Sequence, residues 1–175
     1  MSMVSWVETI YSQGAGPTLT AAAEALLVTD VSIPAGYMYP GRILHAVITG
    51  KASNAVTTPG TLTIRARWGG LTGTVLAASD ALTQNVAAQT DKTWLVNFYI
   101  MCLTTGTTGT FLTWGSALRG NAQVASVAAP DLIPSASNTG VTVDTTVAKL
   151  LSFTAHPSLS TASITAQAYF LKAMT

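Results

Sequence analysis

Charged residues are scarce in this chain, which has eight Lys and Arg and seven Asp and Glu among 175 residues. The few basic residues are dispersed and form no phosphate-neutralising patch, so the sequence is not typical of a nucleic-acid binder. Two Glu and four Lys are too few for a coiled coil or a long solvated helix. A nearly neutral, weakly charged surface favours association. We therefore expect neutral Thr and Ser, or other protein chains, to cover much of the surface.

Cysteine and long apolar runs are also scarce. The single cysteine, Cys102, lies in the apolar run Trp94–Leu103, which predicts a buried and unreactive thiol. The sequence begins without a basic segment or a long apolar run, so no signal peptide is indicated. The longest uncharged stretch, Thr93–Leu118, is interrupted by polar residues and lacks the roughly 20 apolar residues of a membrane span. We expect a soluble protein that is made in a reducing cytoplasm and does not contact a membrane.

Small and strand-forming residues are abundant instead. The chain has 28 Thr, 27 Ala, 14 Ser and 14 Gly, and its 49% hydrophobic content argues against disorder. Apolar and polar residues alternate most clearly over Thr61–Trp68, between Pro59-Gly60 and Gly69-Gly70, which is typical of a β-strand between two turns. The same pattern predicts strands at Arg42–Thr49, Thr74–Ala78, Thr93–Leu103, Thr110–Leu118, Val147–Ala155 and Thr161–Ala173.

These segments predict an all-β fold of about eight strands, an antiparallel β-sandwich in which a jelly roll is favoured over an immunoglobulin-like arrangement. The stretch Leu19–Val28 is ambiguous, because its alanines favour a helix while the following Val and Ile residues favour a strand around Ala25–Ile33. Gly120–Asn138 is expected to be a long loop. We expect residues 1–17 to be an N-terminal arm that contacts a capsid or a neighbour, and residues 18–175 to be a single sandwich domain.

No catalytic motif is present. The histidines, His45 and His156, have no nearby cluster of ligands and are expected to be structural. The sequence contains neither a nucleophile elbow nor a phosphate-binding glycine loop, and its carboxylates stand beside turn residues. We therefore expect no enzyme activity, no catalytic residues, no metal and no cofactor. Arg65 and Arg67, which share one strand face, could bind an anion or contact another subunit.

Several segments in order resemble a widespread group of virion structural proteins of tailed bacteriophages, which are small β-sandwich proteins rich in Thr, Ala and Gly. The resemblance covers residues 25–172. It is carried by Ile33-Pro34-Ala35-Gly36-Tyr37, Pro40-Gly41-Arg42-Ile43-Leu44, Pro59-Gly60-Thr61-Leu62-Thr63-Ile64-Arg65, Gly73-Thr74-Val75-Leu76-Ala77, Thr93-Trp94, Thr108-Gly109-Thr110, Val143-Asp144-Thr145-Thr146 and Ala162-Ser163-Ile164-Thr165.

The resemblance implies a jelly-roll-like subunit that forms a symmetric homo-oligomer, commonly a trimer, on the virion. The leading hypothesis is a capsid decoration (cement) protein on the exterior of the phage head, which binds the major capsid protein and stabilises the head. The arm is then the expected anchor, through Trp6, Ile10 and Tyr11, since aromatic side chains are enriched at interface centres. The alternative is a tail, fibre or baseplate component that binds a host glycan, with Tyr37, Tyr39 and Trp114 as candidate contacts.

Overall fold

Every segment with the alternating pattern forms a β-strand in the computed structural model, which describes residues 6–55, 60–119, 131–134 and 139–175. The described residues form strands and no helix. The strands are β1 (Val7–Gln13), β2 (Thr18–Leu19), β3 (Ala25–Leu26), β4 (Val31–Ile33), β5 (Ile43–Asn54), β6 (Thr61–Trp68), β7 (Thr74–Ala78), β8 (Leu82–Thr83), β9 (Gln89–Thr104), β10 (Gly109–Arg119), β11 (Asp131–Ile133), β12 (Val141–Val143), β13 (Lys149–Pro157) and β14 (Ala162–Met174).

The strands form two antiparallel sheets that pack together as a β-sandwich, which confirms the predicted fold class. The larger sheet has the order β1-β14-β5-β9-β10-β11, with β12 beside β10 and β2 beside β14. The smaller sheet has the order β3-β13-β6-β7, with β4 beside β13 and β8 beside β6. The jelly-roll connectivity stays a prediction.

Glycines allow the tight turns that the sequence predicted. Gly69 and Gly70, with φ of 105° and 86°, connect β6 to β7, and Gly106, with φ of 120°, lies in the hairpin between β9 and β10. These φ values are in the left-handed region, where a side chain other than glycine is strained.

The core lies between the two sheets and is filled by the buried face of each long strand. In β6 these side chains are Leu62, Ile64, Ala66 and Trp68, as the alternation predicted. Aromatic rings link the layers: Phe153 of the smaller sheet packs at centroid distances of 5.3 Å from Phe98 and 5.6 Å from Tyr169 of the larger one. The thiol of Cys102 is fully buried, as predicted, and burial raises its pKa.

Two segments differ from the sequence prediction. The predicted strand at Ala25–Ile33 is divided into β3 and β4, because Leu27 and Val28 between them turn inward and are almost completely buried in the core. Both pieces pair with β13. Of the predicted loop at Gly120–Asn138, residues 131–133 form β11 beside β10, and most of the remainder lies outside the described residues.

The segment predicted to be an arm contains an edge strand. Val7–Gln13 pairs with β14 from Val7↔Met174 to Gln13↔Tyr169, with a bulge between Thr9 and Tyr11. This pairing satisfies backbone groups along β14 that would otherwise be an exposed sheet edge. Residues 7–13 are therefore part of the larger sheet, and the first five residues of the expected arm lie outside the described part of the chain.

Candidate functional site

The most extensive unusual surface is the side of the larger sheet that faces away from the core, here called the outer face. It arises because β9 is apolar on both sides: Trp94, Val96, Phe98, Ile100 and Cys102 point into the core, and the alternate residues point outward. The strand registers place further apolar side chains beside these outward residues. The apolar members of the outer face are Val7, Ile43, Val47, Leu95, Tyr99, Met101, Leu103, Leu112, Trp114, Leu118, Leu132, Phe170 and Met174.

A stack of rings crosses the middle of the outer face. His45 of β5 lies parallel to Tyr99 of β9 at a centroid distance of 4.2 Å, and Tyr99 lies parallel to Trp114 of β10 at 5.5 Å. Because the rings stack along the direction that crosses the strands, the faces of Tyr99 are covered by its neighbours. Phe170, on β14, is 46% exposed.

Few charges interrupt the outer face. Lys172 is opposite His45, and Lys51 pairs with Asp91 at 3.0 Å. Burial lowers the pKa of His45 below 6.5, and the charge of Lys172 acts in the same direction, while a hydrogen bond with Asn97 opposes them. The ring stack therefore carries no charge at neutral pH, and the surface is mainly apolar.

A second feature is a small cleft where the start of β1 meets the end of β14 and the turn before β5. This aromatic cleft has a volume of about 180 Å³ and is lined by Trp6, Glu8, Tyr39, Arg42, Ala173 and Thr175. Trp6 is 73% exposed and Tyr39 is 42% exposed. Because Trp6 and Glu8 alternate with Val7, they point away from the outer face, so the two surfaces are separate.

Hydrogen bonds and ring contacts fix the polar side chains of the aromatic cleft. The Arg42 guanidinium lies over the Tyr37 ring at 3.7 Å from its centroid, and its Nη1 donates to the Tyr37 carbonyl at 2.9 Å. Glu8 Oε2 accepts from Tyr37 OH at 3.0 Å and from Arg42 Nη2 at 3.3 Å. Burial raises the pKa of the Tyr37 phenol, and its bond to Glu8 raises it further. The phenol therefore stays a proton donor to Glu8 at neutral pH.

The five residues predicted to contact a capsid or subunit lie in different surroundings. Trp6 is exposed at the aromatic cleft, whereas Ile10 and Tyr11 are partly buried against the core. The Tyr11 ring packs on buried Tyr169 at a centroid distance of 5.7 Å. Whether any of them contacts another chain stays a prediction.

Arg65 and Arg67 are held by a carboxylate of their own chain. Glu24, from the segment before β3, accepts from Arg65 Nη1 at 3.0 Å and from Arg67 Nε at 2.7 Å and Nη2 at 2.8 Å. Arg67 Nη1 also donates to the Gly73 carbonyl, and Thr154 donates to Glu24. Burial raises the pKa of Glu24, but the bonds from Arg67 and Thr154 and the two arginine charges outweigh burial and lower it to about 2. Both arginines are thus engaged within the fold.

The two histidines lie in different sheets and cannot act together. His45 belongs to the ring stack, and His156 lies on β13 opposite Thr63. Among the described residues, no group of three or more His, Cys, Asp or Glu side chains is arranged to hold a metal ion. In the same part of the chain, no helix is long and apolar enough to cross a membrane.

The candidate sugar-binding aromatics are also separated. Trp114 stacks on Tyr99 in the outer face, Tyr37 is covered by Arg42, and Tyr39 lines the aromatic cleft. No sequence motif marks Glu8, Arg42 or Glu24 as site residues. Each is a lone charge in an otherwise uncharged stretch, and a lone charge of this kind more often has a specific partner than one within a charged surface.

Comparisons with known proteins assign no family. No protein-family model and no curated protein sequence matches the chain. Among solved structures, the chain is similar to the CBM2 module of the evolved Dit protein of Lactobacillus casei BL23 phage J-1, with 11% identity over 96% of both chains and a TM-score of 0.36. A likeness of this size is too low to transfer either a fold or a function.

Proposed function

We propose that this chain is a structural subunit of a tailed-bacteriophage virion, a decoration protein on the exterior of the head that acts by assembly and not by catalysis. The phage setting comes from the sequence resemblance. The observation that carries the assembly function is the apolar outer face. An exposed apolar patch on a monomeric soluble protein is rarely larger than a few hundred Å².

The outer face is large enough for a subunit interface. Six neighbouring strands at about 4.8 Å spacing span roughly 24 Å, and about eight residues along β5 span roughly 27 Å, which gives roughly 650 Å². A contact that buried this face against an equal area of a neighbouring subunit would remove roughly 1,300 Å², within the range of specific interfaces. The charge available to oppose such a contact is small, because Lys51 is paired with Asp91 and Lys172 lies opposite the neutral His45.

We propose a homo-oligomer, a trimer as the resemblance implies, whose subunits pack through this face. The major capsid protein is the proposed second partner, and many copies on one head would convert modest contacts into strong attachment by multivalency.

The test is the oligomeric state of the purified chain. Light scattering coupled to size exclusion should give an oligomer for the native chain and a monomer for Phe170→Asp, which places a charge in the middle of the apolar face. Val86→Asp is the matched control, because Val86 is also an exposed apolar residue but lies outside the outer face. A native chain that is monomeric at micromolar concentration, or a Phe170→Asp variant that stays oligomeric, would contradict the assignment of the interface.

Binding to phage heads tests the proposed contact with the major capsid protein. Deleting residues 1–17 would remove β1 and expose the edge of β14, so a point variant is the sharper probe. Trp6→Ala should weaken binding to undecorated heads of the parent phage if the predicted anchor is correct. Imaging of the virion with labelled subunits separates the head location from the alternative, a tail, fibre or baseplate component that binds a host glycan.

A further inference from the structure

The aromatic cleft combines two exposed rings with a fixed pair of charges. Trp6 and Tyr39 line it, and both are more exposed than the buried rings of the core. The Trp6 carbonyl accepts from the Thr175 N–H at 3.2 Å, which continues the pairing of β1 with β14 and fixes the backbone, but the exposed indole contributes nothing to the core. Sites for small ligands typically combine apolar or aromatic walls with a few oriented polar groups.

Several polar atoms at the cleft have no hydrogen-bond partner among the described residues. Glu8 uses Oε2 for both Tyr37 and Arg42, and its Oε1 has no hydrogen bond to any other described residue. The same holds for Trp6 Nε1 and the Tyr39 hydroxyl within the described part of the chain. The cleft therefore offers a carboxylate acceptor, an indole donor and a phenol that can do either.

The charges of the cleft select against a charged ligand. Glu8 and Arg42 neutralise each other at 3.3 Å, and Arg42 is further occupied by the Tyr37 carbonyl and ring. An anion would have to compete with Glu8 for Arg42, and a cation would have to compete with Arg42 for Glu8. A neutral molecule rich in hydroxyl groups does not have to compete with either Glu8 or Arg42.

We propose that the aromatic cleft binds one neutral hexopyranose unit of a glycan. The C–H face of the sugar packs on the Trp6 and Tyr39 rings, and its hydroxyl groups donate to Glu8 Oε1 and accept from Trp6 Nε1. A cleft of about 180 Å³ is too small for a drug-sized ligand and suits a single ring.

Tyr39 also lines a wider depression on the neighbouring surface, with Met38, Thr105, Gly106, Thr145 and Thr146. Its volume of about 590 Å³ provides space for the next units of the same chain. The Thr105 hydroxyl can bond to them, whereas those of Thr145 and Thr146 already bond to Gly106 and Asp144. An oligosaccharide should therefore bind more tightly than a single sugar.

This site goes beyond the subunit interface and does not depend on it, since the cleft and the outer face are separate surfaces. It shares Trp6 with the predicted capsid anchor, so Tyr39→Ala is the variant that tests sugar binding alone. It does give the alternative, glycan-binding role a location in the molecule. The Trp6 and Phe170 variants separate the two proposals: Trp6→Ala should lose sugar and keep the oligomer, and Phe170→Ala should keep sugar.

Saturation-transfer NMR tests the site with methyl α-D-glucopyranoside, methyl β-D-galactopyranoside and N-acetylneuraminic acid as probes, and maltotriose and cellotriose as longer chains. We expect transfer to at least one neutral hexoside, tighter binding of maltotriose or cellotriose when that hexoside is the glucoside, and no transfer to the acidic sugar. Trp6→Ala and Tyr39→Ala should each weaken binding about tenfold or more, while Trp6→Phe, which keeps a ring, should retain most of it. Phe170→Ala is the matched control, an exposed aromatic outside the cleft.

Because Trp6 is 73% exposed, its truncation creates no core cavity, and thermal unfolding should confirm that the variants fold. Failure of every neutral hexoside to bind would overturn the proposal. So would equal binding by Trp6→Ala and the native chain, or a preference for the acidic sugar.

Discussion

Replacing Glu24 with Gln should destabilise the fold strongly, although Glu24 lies outside the hydrophobic core. Its carboxylate joins Arg65 and Arg67 of β6 to Thr154 of β13 and attaches the segment before β3 to the smaller sheet. Gln keeps the size of the side chain but removes the charge that two partly buried guanidinium groups face. Breaking such a pair from one side costs more than the pair itself contributes, because charges are left without a partner.

The size of this destabilisation follows from the pKa of Glu24. Lowering the pKa of Glu24 from 4.5 to about 2 corresponds to about 3 kcal/mol of preference for the folded state, at about 1.36 kcal/mol per pH unit. The side chain is 21% exposed, so solvent screening is limited and an effect of about 2–3 kcal/mol at pH 7 is expected for Glu24→Gln.

The effect should depend on pH in a defined direction. A carboxyl group whose pKa is depressed in the folded state stabilises the fold above its unfolded pKa, and this stabilisation disappears as pH falls through its folded pKa. The difference in unfolding free energy between the native chain and Glu24→Gln should therefore be full above pH 5 and shrink between about pH 4.5 and pH 2. Urea unfolding followed by tryptophan fluorescence at several pH values measures it.

Glu8→Gln is the matched control. Glu8 also pairs with an arginine, at 3.3 Å, but its side chain is 54% exposed, and exposed pairs contribute about 1 kcal/mol or less. The reasoning would be refuted if Glu24→Gln cost no more than Glu8→Gln, or if its cost were the same at pH 7 and pH 3.

Three further predictions concern other parts of the fold. Gly115→Ala should lower the free energy of unfolding by about 3 kcal/mol or more, measured by urea unfolding, because its Cβ would overlap the Asn97 carbonyl of β9. Gly14→Ala is the control, since the new Cβ has open space around it and should change stability little. Equal costs for the two variants would contradict this prediction. The Cys102 thiol should react with a thiol reagent such as DTNB only when the protein unfolds, since it is buried and burial raises its pKa; rapid reaction of the folded protein would disprove it. Burial lowers the pKa of His45, so His45 is protonated at a higher pH in the unfolded chain than in the folded one. The free energy of unfolding should therefore fall as pH drops below about 6.5. The His45→Gln variant should lack this part of the pH dependence.

The long strands could be predicted from sequence because one side of each strand faces the core and the other faces away from it. This arrangement imposes the alternation of apolar and polar residues. β6 shows this most clearly: Leu62, Ile64, Ala66 and Trp68 are buried, and Arg65 and Arg67 are on the opposite side. The apolar outer face also has a signal in the sequence, since both sides of Trp94–Leu103 are apolar except at Asn97.

The candidate site could not be predicted in the same way. Trp6, Tyr39 and Arg42 meet only because β1 pairs with the end of β14, a contact between residues more than 160 positions apart. The short sequence of β1, VETIYSQ, does not specify that pairing, because the backbone hydrogen bonds of an edge strand can form with many sequences. The partnership of Glu24 with Arg65 and Arg67 is hidden for a similar reason: it depends on how the segment before β3 crosses the smaller sheet.

The position of β14 between β1 and β5 also determines how the chain can fold during synthesis. Val7 pairs with Met174, so the first strand has no neighbour in its sheet until the ribosome has made almost all of the described chain. The twelve residues of β5 also pair with β14, so one side of β5 has no partner strand until β14 is made. Pairings between such distant segments form slowly and leave strand edges open in the meantime. We therefore expect β1 and one side of β5 to stay unpaired until β14 has been made, while β5, β9 and β10 can pair earlier. Chains interrupted before β14 should aggregate instead of accumulating as folded fragments.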